Sequence, residues 1–189
     1  MIATTELVEI RWHGRGGQGA VTSAELLARA AIDEGKYAQA FPSFGPERRG
    51  APVLAFNRIS AQEPIRIRAG IEEPDVVVVL DPGLLAIVNV TLGLKEKGVL
   101  IVNTSRSFSD IESGFDRKWR LAVIDATKIA RELLGVPIVN TTMLGAILRA
   151  TGVVKLESLF EPLKERFGRL AERNISAMKR ALDETIVKE

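Results

Sequence analysis

The chain has 189 residues, a formal net charge of +2, 46% apolar and 26% charged residues, which is ordinary for a soluble globular protein. The small charge gives no reason to expect nucleic-acid binding, no apolar run approaches the roughly 20 residues of a membrane span, and no secretory signal opens the chain. The absence of cysteine excludes disulfides and a cysteine-ligated iron–sulfur cluster, and with one histidine we expect no metal site. These features predict a cytoplasmic protein that folds as one domain over residues 1–189.

The chain opens with a strand, a glycine-rich loop and a helix. Val8 to His13 alternates apolar and polar residues, as a strand with two different faces does. After Gly14 to Gly19, apolar residues recur at helical spacing from Ala20 up to Gly35, a suitable C-terminal stop. Lys36 to Phe41 is predicted to be the second strand, so the segment begins a βαβ unit.

The middle of the chain is predicted to supply the rest of the sheet. Three prolines and two glycines require Phe41 to Pro52 to be a loop. Val53 to Ile59 and Ile65 to Ala69 both have strand patterns, and their link is too short for a helical crossover, so they predict an antiparallel hairpin. Short β-branched runs apolar on both faces predict parallel strands covered by helices. These runs are Asp75 to Asp81, Gly98 to Asn103 and Leu121 to Asp125, and the segments Pro82 to Val88 and Thr127 to Leu134 are candidate helical crossovers.

The last third of the chain has helical periodicity. Thr141 to Ala150 predicts one helix, and apolar residues from Leu156 to Phe167 predict a second, in which Pro162 requires a late start or a kink. Ala171 to Ile186 predicts a final amphipathic helix. The predicted fold class is therefore three-layer α/β/α, with a mostly parallel sheet, an antiparallel hairpin and a helical C-terminal third.

The loop from Gly14 to Gly19 contains a formal Gly-x-Gly-x-x-Gly at the start of a helix. Such a loop exposes backbone N–H groups, and the helix dipole favours an anion there. A dinucleotide site also needs an acid at the end of the second strand, and no acid stands near Phe41. Asp33 and Glu34 have the right spacing but lie at the end of the helix. This disfavours NAD and leaves a structural turn or a contact loop for a cofactor or partner.

Several other polar residues are candidates for function. His13 is an acid–base group, an anion contact or, as we favour, a residue that fixes the loop through a backbone hydrogen bond. No nucleophile elbow accompanies it. The charges at residues 47–49 either clamp an anion, dock on a partner or are a solvated cluster. Asn140 or Thr141 is predicted to cap the following helix, and Asp81 to form a turn and cap, with a smaller chance of ligand contact.

Five segments of the chain form a recognisable set in their order. They are Ile10 to Gly19, Pro42 to Pro52, Pro74 to Asp81, Asn140 to Ala146 and Asn174 to Lys179. Together they resemble the gamma subunits of 2-oxoacid:ferredoxin oxidoreductases. The resemblance covers nearly the whole chain, and the first two segments are specific in combination. Residues 44–49 are closer to the pyruvate type, that of pyruvate synthase, than to the 2-oxoglutarate type.

The resemblance implies a subunit that supports an active site at a subunit interface. The family decarboxylates a 2-oxoacid on thiamine diphosphate, passes electrons through iron–sulfur clusters to ferredoxin and forms an acyl-CoA, here acetyl-CoA from pyruvate. Thiamine diphosphate, magnesium and the clusters are expected on sister alpha, beta and delta subunits, with CoA as co-substrate. Another 2-oxoacid (2-oxoglutarate, a branched-chain oxoacid or indolepyruvate) and a stand-alone nucleotide- or anion-binding module are the alternatives.

No catalytic residue is assigned to this chain. The two loops that carry the specific motifs are expected to contact a partner subunit or CoA. Their candidate residues are His13, Gly14, Arg15, Gly16, Gly17, Gln18 and Gly19 in the first loop, and Ser43, Gly45, Glu47, Arg48 and Arg49 in the second.

Overall fold

A computed structural model describes residues 7–43, 50–115 and 119–188. Its centre is a seven-stranded sheet in the order β2-β3-β1-β4-β5-β6-β7. Strands β3 and β7 run against the other five, so the sheet is mostly parallel, as predicted. The strands are β1 (Leu7–Arg15), β2 (Tyr37–Pro42), β3 (Pro52–Ser60), β4 (Val76–Val79), β5 (Val99–Asn103), β6 (Arg120–Ile124) and β7 (Ile186–Lys188).

Six α-helices and three short 3₁₀ turns accompany the sheet in the parts of the chain that the structure describes. None of the helices in the described ranges is long and apolar enough to cross a membrane. The helices are α1 (Ala20–Asp33), α2 (Phe108–Glu112), α3 (Ala126–Leu134), α4 (Asn140–Thr151), α5 (Phe160–Phe167) and α6 (Ala171–Glu184). The 3₁₀ turns are Pro82–Ala86, Glu157–Leu159 and Gly168–Leu170.

The β-branched runs form the centre of the sheet because both of their faces are covered. All residues of β4 and β5 are buried. Val76 and Val78 belong to the larger core, beneath α1, α3, α4 and α6, whereas Val77 and Val79 pack into a second core with Leu84 and Phe108. The helix predicted around Pro162 starts late, at Phe160, so the proline lies in the first turn, where its missing N–H costs nothing.

The predicted antiparallel hairpin is wrong. Strand β3 does not pair with Ile65 to Ala69; it lies between β2 and β1 and pairs antiparallel with both. The carbonyl oxygens of Ile67 and Ala69 instead accept hydrogen bonds from the buried guanidinium of Arg58, at 3.4 and 2.8 Å. Side-chain donors therefore replace the backbone partner that a hairpin would have supplied.

The strand order and the end of the last helix also differ from the sequence prediction. The insertion of β3 between β1 and β2 means that the β1–α1–β2 unit is split, although β1 and β2 still run in the same direction. Helix α6 ends at Glu184, and Ile186 lies in β7, paired with Val123 of β6. The helical spacing of Ile186 was coincidental, since the sheet edge offers this segment backbone partners.

Candidate functional site

The carboxyl ends of β1 and β4 lie side by side and bring three separate sequence segments together. Strand β1 pairs in parallel with β4, so the glycine loop that follows β1 is adjacent to Asp81, which follows β4. The start of α4 packs against the same loop through Asn140. Ligands of open α/β sheets bind at this edge, outside the carboxyl ends of the strands.

The two motif loops meet along their backbones. The N–H of Gly16 donates to the carbonyl of Ala51 at 3.0 Å, and the N–H of Gly50 donates to the carbonyl of Gly16 at 3.3 Å. The N–H of Ser43 donates to the carbonyl of Leu54 at 2.9 Å, so the start of the second loop lies beside β3. The remaining candidates of that loop, Gly45, Glu47, Arg48 and Arg49, lie outside the described residues.

Arg15, Gln18 and Asp81 form one hydrogen-bonded cluster. Oδ2 of Asp81 accepts from Nε of Arg15 at 2.8 Å and from Nε2 of Gln18 at 3.0 Å. Oε1 of Gln18 accepts from the N–H of Arg15 at 2.7 Å, and Oδ1 of Asp81 accepts from the N–H of Gly83 at 2.8 Å. The predicted turn and cap at Asp81 are confirmed, and the same carboxylate also holds the glycine loop.

Gly19 and Asn140 are in close contact at the start of α1. Gly19 has φ 81°, and a Cβ on it would lie 2.7 Å from Nδ2 of Asn140, so glycine is required there. Asn140 is 7% exposed, and its Nδ2 has no acceptor in the described part of the chain. Among the described residues no side chain caps α1, so the N–H groups of its first turn are left without a capping acceptor beside Gly19.

The predicted capping role of Asn140 or Thr141 is wrong. Val139 is the N-cap of α4, and both residues are already helical. Oγ1 of Thr141 donates to Oδ1 of Asn174 at 2.7 Å inside the core, while Oδ1 of Asn140 accepts from the N–H of Thr141 at 2.9 Å. The carboxamide nitrogen of Asn140 is thereby left toward Gly19.

The strand order argues against a dinucleotide site. Because β3 separates β1 from β2, the end of β2 lies two strand spacings, about 10 Å, from the glycine loop. The two acids whose spacing from the glycine loop would suit a ribose ligand already accept hydrogen bonds from the protein. Asp33 accepts from Arg29, and Glu34 accepts from Lys36 and Ser158. The disfavoured NAD hypothesis therefore finds no ribose ligand among these residues.

His13 is buried on the face of β1 opposite α1. Its Nε2 accepts a hydrogen bond from Nε of Arg11 at 3.1 Å. We had predicted a hydrogen bond to the loop backbone, but the imidazole bonds to a neighbouring side chain instead. Arg11 in turn donates to the carbonyls of Val90 and Leu92. Burial, together with the charge of Arg11, lowers the pKa of His13 to about 4. The imidazole is therefore neutral at pH 7, which suits an acceptor in the core.

This burial predicts a pH dependence of stability. The unfolded chain takes up a proton on His13 near pH 6.5, whereas the folded chain does so only near pH 4. Stability is thus full above pH 6.5 and falls as the pH decreases toward 4. Between pH 7 and 5, urea unfolding should show a loss of about 2 kcal/mol. His13→Gln should flatten the profile in this window; an unchanged slope in that variant would contradict the assignment.

A family model described as pyruvate ferredoxin/flavodoxin oxidoreductase matches residues 9–184. The chain belongs to this family. A relative from Thermococcus kodakarensis, named "Pyruvate/ketoisovalerate oxidoreductases common subunit gamma", is 58% identical over 97% of this chain and 100% of its own length. The crystal structure of pyruvate oxidoreductase subunit PORC from Thermotoga maritima is 41% identical, with a TM-score of 0.86 over 98% of this chain and 100% of that chain. These matches confirm the prediction of a gamma-type subunit of a multi-subunit pyruvate oxidoreductase.

The same fold recurs within a larger enzyme. The 2-oxoglutarate:ferredoxin oxidoreductase from Magnetococcus marinus matches with a TM-score of 0.75 at 19% identity, over 95% of this chain and 31% of that chain. At this identity the match shows the fold alone. It places this α/β architecture inside an enzyme of much greater size.

The residues present do not suit the redox centres of such an enzyme. The chain contains no cysteine to ligate an iron–sulfur cluster. Within residues 7–43, 50–115 and 119–188 no three His, Asp or Glu side chains are grouped to hold a metal ion. What the edge does offer is an arginine, an amide nitrogen and a helix N-terminus, a donor set that suits an anion.

Proposed function

We propose that this chain is the gamma subunit of a pyruvate:ferredoxin oxidoreductase and that its sheet edge binds an anionic group of CoA. The observation that carries the proposal is that Arg15, the first turn of α1 and Nδ2 of Asn140 all border the glycine loop. Arg15 and α1 flank the loop on its two sides, Asn140 comes from the start of α4, and all three are hydrogen-bond donors. The remaining motif residues, including the Ser43 to Arg49 loop, contact CoA or a partner subunit in the same proposal.

The chemistry of CoA supports this choice over the 2-oxoacid. CoA carries phosphates, which helix N-termini and arginines bind well because both present N–H donors and positive charge. The Magnetococcus marinus structure contains bound coenzyme A.

Oxidation of the 2-oxoacid requires thiamine diphosphate, magnesium and iron–sulfur clusters. We assign these to the alpha, beta and delta subunits, which pass the electrons on to ferredoxin in the cytoplasm. The continuous seven-stranded sheet supports a single domain over residues 1–189.

The test is kinetic and uses the assembled complex. Arg15→Ala should raise the KM for CoA about tenfold, the loss of one charge-assisted hydrogen bond, and leave the KM for pyruvate unchanged. Arg29→Ala, a matched change of an exposed arginine near the far end of α1, should alter neither value. Equal KM values for CoA in wild type and Arg15→Ala would refute the CoA site. A purified chain that oxidised pyruvate by itself would refute the role as a subunit.

A second candidate is a gamma subunit shared by pyruvate and ketoisovalerate oxidoreductases. The name of the Thermococcus kodakarensis relative favours it. A shared subunit must contact what the two reactions have in common, and CoA is common to both, whereas the 2-oxoacid side chain is not. A tagged chain recovered from its host should then bring down two sets of partner subunits; one set would leave only the pyruvate enzyme.

A further inference from the structure

We infer that Asp81 is a positioning residue for CoA binding, because it fixes the guanidinium of Arg15 in the orientation that meets the anion. The inference rests on the proposed function. Asp81 follows β4 and reaches across to the end of β1, where its Oδ2 accepts from Nε of Arg15 at 2.8 Å. The carboxylate thus acts through Arg15 and needs no contact with CoA itself.

The guanidinium of Arg15 is held on two sides. Nη1 donates to the carbonyl of Gly50 at 3.2 Å, while Nε is held by Asp81, and these two bonds fix the plane of the group. Nη2 has no acceptor within the described parts of the chain. The side chain is 31% exposed, so an anion in solution can approach. One donor nitrogen is therefore left for a ligand on an arginine that is already immobilised.

Gln18 and Gly83 complete this arrangement. Gln18 donates to the same Oδ2 of Asp81 and accepts from the N–H of Arg15, which ties the loop to the carboxylate. A Cβ on Gly83 would lie 3.0 Å from Oδ1 of Asp81 and 3.5 Å from Nη2 of Arg15. Glycine at this position lets the arginine and the carboxylate lie close to the turn. Fixing a rotamer-rich side chain before binding lowers the entropy lost when the anion arrives.

Asp81→Asn and Asp81→Ser separate this role from helix capping. Both side chains retain an oxygen that can accept from the N–H of Gly83, but neither carries the charge that holds Arg15. In the assembled complex, each should raise the KM for CoA by about fivefold to tenfold, with kcat and the KM for pyruvate changed less than twofold. Asp81→Glu should restore part of the CoA affinity. The matched control is Asp125→Asn, which alters the cap of α3 at the same edge and should leave all three values unchanged.

A double-mutant cycle decides whether Asp81 acts through Arg15. The KM for CoA should be the same in Arg15→Ala and in Arg15→Ala/Asp81→Asn, because without the arginine the carboxylate has nothing to orient. A further rise in the double variant would overturn the inference, and so would an unchanged KM for CoA in both Asp81 variants while Arg15→Ala raises it. If Arg15→Ala itself leaves the KM for CoA unchanged, the proposed CoA site fails and the inference falls with it.

Discussion

Gly145→Ala is expected to lower the free energy of unfolding by about 3 kcal/mol, although alanine is the better helix former. Gly145 lies in α4 where that helix crosses α6, and a Cβ there would lie 2.1 Å from the carbonyl oxygen of Met178 and 2.8 Å from the nitrogen of Leu182. Both are backbone atoms, so the helices must separate. The gain from helix propensity, about 1 kcal/mol, is smaller than this cost. Urea unfolding of the full chain measures the difference.

Gly70→Ala is the matched control for this change. A Cβ on Gly70 meets no atom within 4 Å, and its backbone is not in the left-handed region. We expect a change within about 0.5 kcal/mol. If Gly145→Ala were as harmless as Gly70→Ala, the close approach of α4 and α6 would be wrong.

Arg58→Met is expected to cost about 3 kcal/mol and to release the segment from Ile65 to Gly70. Arg58 is 1% exposed, and its guanidinium donates to Oε1 of Glu9 and to the carbonyls of Ile67 and Ala69. Methionine fills part of the space but donates no hydrogen bond. Trypsin should then cleave after Arg66 and Arg68 much faster than in the wild type, which limited proteolysis with mass spectrometry detects.

Arg29→Met is the control for the loss of an arginine. Arg29 forms an exposed ion pair with Asp33 within α1, and such pairs add little to stability. The unfolding midpoint and the trypsin sites after Arg66 and Arg68 should stay as in the wild type. Equal cleavage in Arg58→Met and Arg29→Met would show that Arg58 does not hold the segment.

The candidate site was predicted from the sequence only in its first half. The glycine loop between a strand and a helix was predicted because an alternating segment, a run of glycines and a helical repeat in this order are typical of a strand–loop–helix unit. The roles of Asp81 and Asn140 were not, since each is 60 or more residues from Arg15 along the chain and each had a sufficient local explanation as a cap. The place of Asp81 after a strand of the parallel set, whose ends meet at one edge, indicated only a smaller chance of ligand contact beside the turn and cap.

The sequence by itself determined the type of most elements, though not of Ile65 to Ala69 or of Ile186, because hydrophobic period and β-branched runs are local properties that decide which faces can be buried. It also determined that this chain ligates no iron–sulfur cluster through cysteine, because no cysteine is present. Only the tertiary structure decided the strand order and the insertion of β3 between β1 and β2. It also decided that Arg58 donates hydrogen bonds to the carbonyls of Ile67 and Ala69. The physical reason is that the pattern of a strand determines which side chains are buried but not which segment the strand pairs with. Its backbone N–H and C=O groups can form hydrogen bonds with another strand or with a buried guanidinium, and only the packing of the whole chain decides between them.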